Sequence, residues 1–278
     1  MNFTERLLEQ CRRSDSLLCV GLDVVLERLP AVCRQRDDPL LFFNQAIVEA
    51  TAPWACAYKP NLAFYEALGS AGLEALRRTV AFIHQHTSAL VIADAKRADI
   101  GHTSALYARA LFDFLEADAV TLNPYLGGEA LAPFLERADR GCFILCRTSN
   151  PGAGEVQDLP VDGRPLYLRV AERVRSWNER GNCGLVVGAT APEELAQVRA
   201  LAPELPILIP GIGPQGGDLL RAVQAGVDRA GERALVNVSR SILYASDRAD
   251  FAEAAARVAR ELCQAINQAR QPFRKARP

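Results

Sequence analysis

The stretch Val91-Ile92-Ala93-Asp94-Ala95-Lys96-Arg97-Ala98-Asp99-Ile100-Gly101-His102-Thr103 decides how the rest of the chain is read. It continues from Leu90, and the apolar Leu90-Val91-Ile92 predicts a buried strand. The run then turns ionic at once. Asp94 and Lys96 are two apart, so on a strand both side chains point to the same face. Asp99 follows three residues later, at or past the strand's end. Two carboxylates and an ammonium therefore crowd the place where a buried strand emerges. Burying such groups is costly unless they are paired, which marks them as candidates for chemistry.

Lysine usage sharpens this. Of 32 basic residues only Lys59, Lys96 and Lys275 are lysine; the other 29 are arginine. Lys275 belongs to a basic C-terminal end. Lys59 and Lys96 each follow an apolar run, Ala55-Cys56-Ala57-Tyr58 and Leu90 to Ala95. Arginine does not readily give up a proton, whereas lysine does, and its pKa moves when it is buried. The bland alternative is that both are survivors of a compositional bias.

Working outward, apolar runs recur at 17–23, 54–59, 89–96, 119–123, 142–149, 184–189, 207–211 and 234–239. Helix-like stretches lie between and after them, near 39–51, 61–87, 103–116, 129–138, 165–180, 192–201, 217–226 and 249–269. Eight strands alternating with eight helices predict a parallel sheet, and eight closes a (β/α)₈ TIM barrel. An open doubly wound sheet is the alternative. The expected fold is thus α/β, one barrel domain over 1–278, preceded by an extra N-terminal helix near 3–13 and ending in a flexible basic tail, 270–278. The glycine-rich Gly211-Ile212-Gly213-Pro214-Gln215-Gly216-Gly217 follows the seventh strand rather than the first, so it is no dinucleotide fingerprint.

In such a barrel the active site lies at the C-terminal ends of the strands. Those ends carry Asp23, Lys59, Asp94 with Lys96, Asn123, Thr148-Ser149-Asn150, Gly211 to Gln215, and Ser239-Arg240. The strand starts show no such concentration. Loops after strands seven and eight often bind phosphate. A glycine turn, a helix N-terminus and Arg240 suit an anion; the plain alternative is a tight turn beside a surface arginine. A loop running from Asn150 to about residue 164 is long enough for a lid, though a static loop is as ordinary.

Composition limits the partners. The net charge of −1 gives no nucleic-acid footprint, and no apolar run nears the length of a membrane span. The N-terminus lacks a signal-peptide core. None of the eight cysteines forms a CxxC pair; most sit in apolar runs as small core residues. A disulfide framework is not expected, Cys142 and Cys146 make a poor metal pair, and the expected compartment is the cytoplasm.

Several motifs together resemble the orotidine 5′-phosphate decarboxylase family, in its branch of longer chains. They are Asp94-Ala-Lys96-Arg-Ala-Asp99-Ile100, Lys59-Pro60-Asn61, Thr148-Ser149-Asn150-Pro151-Gly152, the run from Pro210 to Gly217, and Asn237-Val-Ser239-Arg240. The resemblance covers nearly the whole chain. It implies conversion of orotidine 5′-phosphate to uridine 5′-phosphate and CO₂ in pyrimidine biosynthesis, with no cofactor and no metal. It implies that Lys59, Asp94, Lys96 and Asp99 are the catalytic charged set. It further implies that Asp99, with Ile100 and Thr103, reaches into the neighbouring subunit of a homodimer. Asp23 would lie by the ribose, Ser149 by the pyrimidine, and Gln215 and Arg240 by the phosphate. The family commonly has glycine before the phosphate arginine, where this chain has Ser239. Three rivals stand beside it: a Mg²⁺-dependent sugar-phosphate lyase or decarboxylase of related barrel type, a Schiff-base aldolase using Lys59 or Lys96, and a non-catalytic phosphate-ligand binding protein.

Overall fold

Each apolar run forms one strand of a closed parallel barrel in the structure, a computed structural model that describes residues 1–213 and 217–275. The strands are β1 (Leu18–Gly21), β2 (Ala57–Lys59), β3 (Leu90–Arg97), β4 (Ala119–Leu122), β5 (Gly141–Arg147), β6 (Cys183–Val187), β7 (Ile207–Ile209) and β8 (Ala234–Val238). They pair in sequence order, and the ring closes where β1 meets β8 with Leu18 opposite Val236. Helices cover the outer face while side chains fill the interior, so most strand residues are buried. That is why the strands read as continuous apolar runs and not as alternating ones. All eight cysteines are buried within this core.

The expected N-terminal helix spans Phe3–Arg13 and begins with a capping box in which Asn2 and Glu5 each satisfy the other's backbone N–H. It lies across the end of the barrel where the strands begin. Phe3 packs edge-on against Phe143 of β5. Arg6 donates to Asp118 just before β4 at 2.7 Å, and Arg12 grips Glu232 just before β8 through two bonds. The opposite end of the barrel stays open.

Three expectations change. The stretch 61–87 is two helices, Leu62–Glu66 and Gly69–His86, because Gly69 takes φ +65° and turns the chain. The stretch after Asn150 is no bare loop: it holds short helical turns at Pro151–Ala153 and Gly154–Gln157 and a hairpin pairing Pro160–Val161 with Arg164–Pro165. The basic tail expected from 270 continues the last helix, Phe251–Lys275. Arg270 there is only 1% exposed, donating to Asp15, Asn267 and the Gly231 carbonyl. Residues 276–278 lie outside the described ones. Among the described residues no helix is long and apolar enough to cross a membrane.

Candidate active site

The strands' C-terminal ends open into a cavity of 490 Å³, within the range of small-molecule sites. Its floor is ionic. Lys59 ends β2, and its Nζ donates to Asp94 Oδ2 at 2.7 Å. Lys96 reaches the other oxygen, Nζ to Oδ1 at 2.6 Å. Thr121 of β4 also donates to Oδ1, at 2.8 Å. One carboxylate is thus held between two ammonium groups and a hydroxyl. The side chains of Lys59 and Asp94 are 4% and 11% exposed, whereas that of Lys96 is 48% exposed and faces the opening.

Burial alone would discharge this cluster. It disfavours the Lys59 ammonium, but the charges of Asp94 and Asp23 outweigh it and lift Lys59 well above an ordinary lysine. Burial likewise works against the Asp94 carboxylate, yet Lys59 and Lys96 together hold it far below the usual range. The pair is therefore ionised at neutral pH. Asp94 and Lys96 share a face as expected, although not by simple alternation. Lys96 has φ +48°, and the pairing of β3 with β4 shifts register between Ala93 and Arg97.

The rim comes from the other strand ends. Asp23, after β1, has a buried Oδ1 with no hydrogen-bond partner among the described residues. Asn237 of β8 also lines the cavity, and its buried Oδ1 likewise has no hydrogen-bond partner among the described residues. Thr148 and Ser149 enter after β5. Gln157 accepts from the Thr148 N–H at 2.8 Å, and Arg147 pairs with Asp158, so the segment beyond Asn150 is tied to the rim. After β7, Gly211 and Gly213 turn the chain with φ +103° and +92°. Exposed Arg240, after β8, has no ion-pair partner among the described residues. Ser239 points its hydroxyl at the Gly21 carbonyl, 3.3 Å away. The helix beyond the β7 turn, Leu219–Gly226, is capped by Asp218, whose side chain accepts from the Arg221 N–H. Among the described residues no three His, Cys, Asp or Glu side chains converge as metal ligands.

The family model described as orotidine 5′-phosphate decarboxylase / HUMPS matches residues 16–255, most of the chain and all eight strands. The chain belongs to this decarboxylase family. The orotidine 5′-phosphate decarboxylase of Thermomicrobium roseum is 56% identical over 273 residues, covering 97% of this chain and 96% of that one. The solved OMP decarboxylase of Leishmania donovani is 41% identical with a TM-score of 0.83, covering 98% of this chain and 99% of the other. The UMP synthase of the same organism is 42% identical with a TM-score of 0.87; the match covers 97% of this chain but 57% of that longer one.

Of the residues expected from the decarboxylase resemblance, Asp23, Lys59, Asp94, Lys96, Ser149 and Arg240 all line the cavity. Asp99, Ile100 and Thr103 do not. Asp99 instead accepts from the Ile100 N–H at 2.8 Å, and Ile100 is 63% exposed. Gln215 lies outside the described residues. Thr121 and Gln157 are not among the sequence candidates, and Asn237 enters there only as the first residue of a motif. Thr121 had one signal, as the polar residue in the apolar Ala119-Val120-Thr121-Leu122.

Proposed function

We propose that this chain converts orotidine 5′-phosphate to uridine 5′-phosphate and CO₂. One observation carries the reading: two ammonium groups converge on a single buried carboxylate at the floor of a cavity sized for a nucleotide. Loss of CO₂ leaves an electron pair on the pyrimidine carbon, and that charge needs a cation and then a proton. Lys96, solvent-facing and beside Asp94, supplies both. Asp94 crowds the departing carboxylate in the ground state, and loss of CO₂ relieves the repulsion. Lys59 keeps Asp94 ionised. The Gly211–Gly213 turn and Arg240 face the phosphate, whose binding offsets the strain at the reacting end. Asp23 takes the ribose and Ser149 the pyrimidine; Gln215 joins the phosphate contacts.

Asp99, Ile100 and Thr103 serve the site of a second copy in a two-fold dimer. Their place outside their own cavity supports this, as do exposed Leu106 and Tyr107 on the helix that follows. The buried reduced thiols fit the cytoplasm, where we place the enzyme.

The test is to add orotidine 5′-phosphate to purified protein and follow its ultraviolet absorbance, before and after dialysis against a chelator. Turnover that persists after dialysis is the expected outcome. Activity lost to the chelator and restored by Mg²⁺ would instead favour the sugar-phosphate type of chemistry.

A further inference from the structure

Lys96 reaches Asp94 from a backbone conformation that side chains with a Cβ usually avoid. Its φ of +48° lies in the left-handed region, where the Cβ crowds its own peptide. The surrounding pairing explains where the strain sits. β3 and β4 pair Ala93 with Val120 and next Arg97 with Leu122. Asp94, Ala95 and Lys96 therefore stand opposite a single residue of β4, and that residue is Thr121.

Thr121 is 1% exposed, and both capacities of its hydroxyl are used on the bulge. Oγ1 accepts from the Lys96 backbone N–H at 2.9 Å and donates to Asp94 Oδ1 at 2.8 Å. A hydroxyl carries one proton and two lone pairs, so the direction of each bond is fixed: in from Lys96, out to Asp94. Asp94 Oδ1 is also the oxygen that Lys96 Nζ reaches. The backbone of Lys96, the Thr121 hydroxyl, the Asp94 carboxylate and the Lys96 ammonium thus close a ring through the one side chain assigned to protonate the product.

We propose that Thr121 is a positioning residue for this decarboxylation: its hydroxyl holds the β3 bulge and orients the Asp94 carboxylate, and so aims the Lys96 ammonium. This rests on the role given to Lys96 above. Without the hydroxyl, the Lys96 N–H loses its acceptor, Asp94 loses a donor, and little holds the left-handed turn in place.

Two substitutions separate positioning from packing. Thr121→Val keeps the shape and removes the hydroxyl; Thr121→Ser keeps the hydroxyl and removes a methyl. With orotidine 5′-phosphate as substrate, Thr121→Val is expected to lower kcat about ten- to a hundred-fold. Its KM and its affinity for uridine 5′-phosphate should stay within about threefold, and Thr121→Ser should stay within about threefold of wild type in kcat. A packing role predicts the opposite order, with Val active and Ser impaired. That order, or a Val variant as fast as wild type, overturns the proposal. If Thr121→Val does not fold, Thr121→Ser is compared with Thr121→Ala, and equal kcat in those two overturns it as well. A wild-type chain that leaves the substrate unchanged sinks the decarboxylase reading, and the role of Thr121 with it; an active wild type with an unimpaired Val variant sinks Thr121 alone.

Discussion

At the scale of single residues, Lys59 and Asp94 stabilise each other's charged form, and the sign of each shift sets the pH range over which they do so. Asp94 is depressed in the fold, so its contribution is full above the ordinary carboxylate value of about 4 and falls away below it. Lys59 is raised, so its contribution is full below the ordinary lysine value of about 10.4 and fades above it. The stability difference between wild type and Asp94→Asn should therefore be flat from about pH 5 to 9 and shrink below about pH 4. Urea unfolding at several pH values measures it, and a slope near neutrality would mean that the pair is not fully ionised. Arg240 offers a second check. Arg240→Ala should slow reaction of the phosphorylated substrate by about 1.5–3 kcal/mol of transition-state binding and hardly alter reaction of the phosphate-free nucleoside. Equal losses on both would make Arg240 structural. The ionic residues of this site were legible in the sequence because they interrupt apolar runs. Thr121 was not, because a threonine inside a strand reads as filler until the residue opposite it is known. The expectation that Asp99 serves a second subunit rests only on the family resemblance, since nothing in its spacing says which cavity it serves.

At the scale of elements, the N-terminal helix acts as the stopper at one end of the barrel. Arg6 carries much of its hold: Asp118, nearly buried, also accepts from His84 and from the Val91 N–H. Arg6→Ala should lower unfolding stability by about 1–3 kcal/mol and leave kcat unchanged, since the cavity lies at the other end. A stability change below about 0.5 kcal/mol, the size expected of an ordinary surface substitution, would move the hold onto Phe3. The strands were legible because burial on both faces writes them as apolar runs. Helix limits were not, where they depend on distant partners. The last helix runs past residue 269 because Arg270 meets Asp15, 255 residues away in sequence. The segment after Asn150 gains its turns from ties to Arg147 and Thr148, which no local pattern announces.

At the scale of the whole molecule, the barrel closes through β1 and β8, near the two ends of the chain, and the proposed dimer extends the site to a second copy. Subunit exchange tests that extension. Lys96→Ala and Asp99→Ala, each inactive alone, are mixed and allowed to exchange. If Asp99 serves the partner's cavity, every mixed dimer has one doubly damaged site and one intact site. Random pairing then restores about a quarter of wild-type activity. Exchange proven by mass spectrometry of differently tagged chains, without recovered activity, would refute the shared site and leave the decarboxylase reading standing. The eight buried thiols have a use of another kind. Burial pushes Cys19, Cys146 and Cys183 up to about 12, so in the folded chain they are protonated as well as shielded, and thiol reagents act on the thiolate. A labelling reagent then reads the opening of each segment: Cys11 and Cys263 report the first and last helices, and Cys19, Cys142 and Cys183 the strands. The order in which they become modified is a built-in record of which parts of the molecule breathe first.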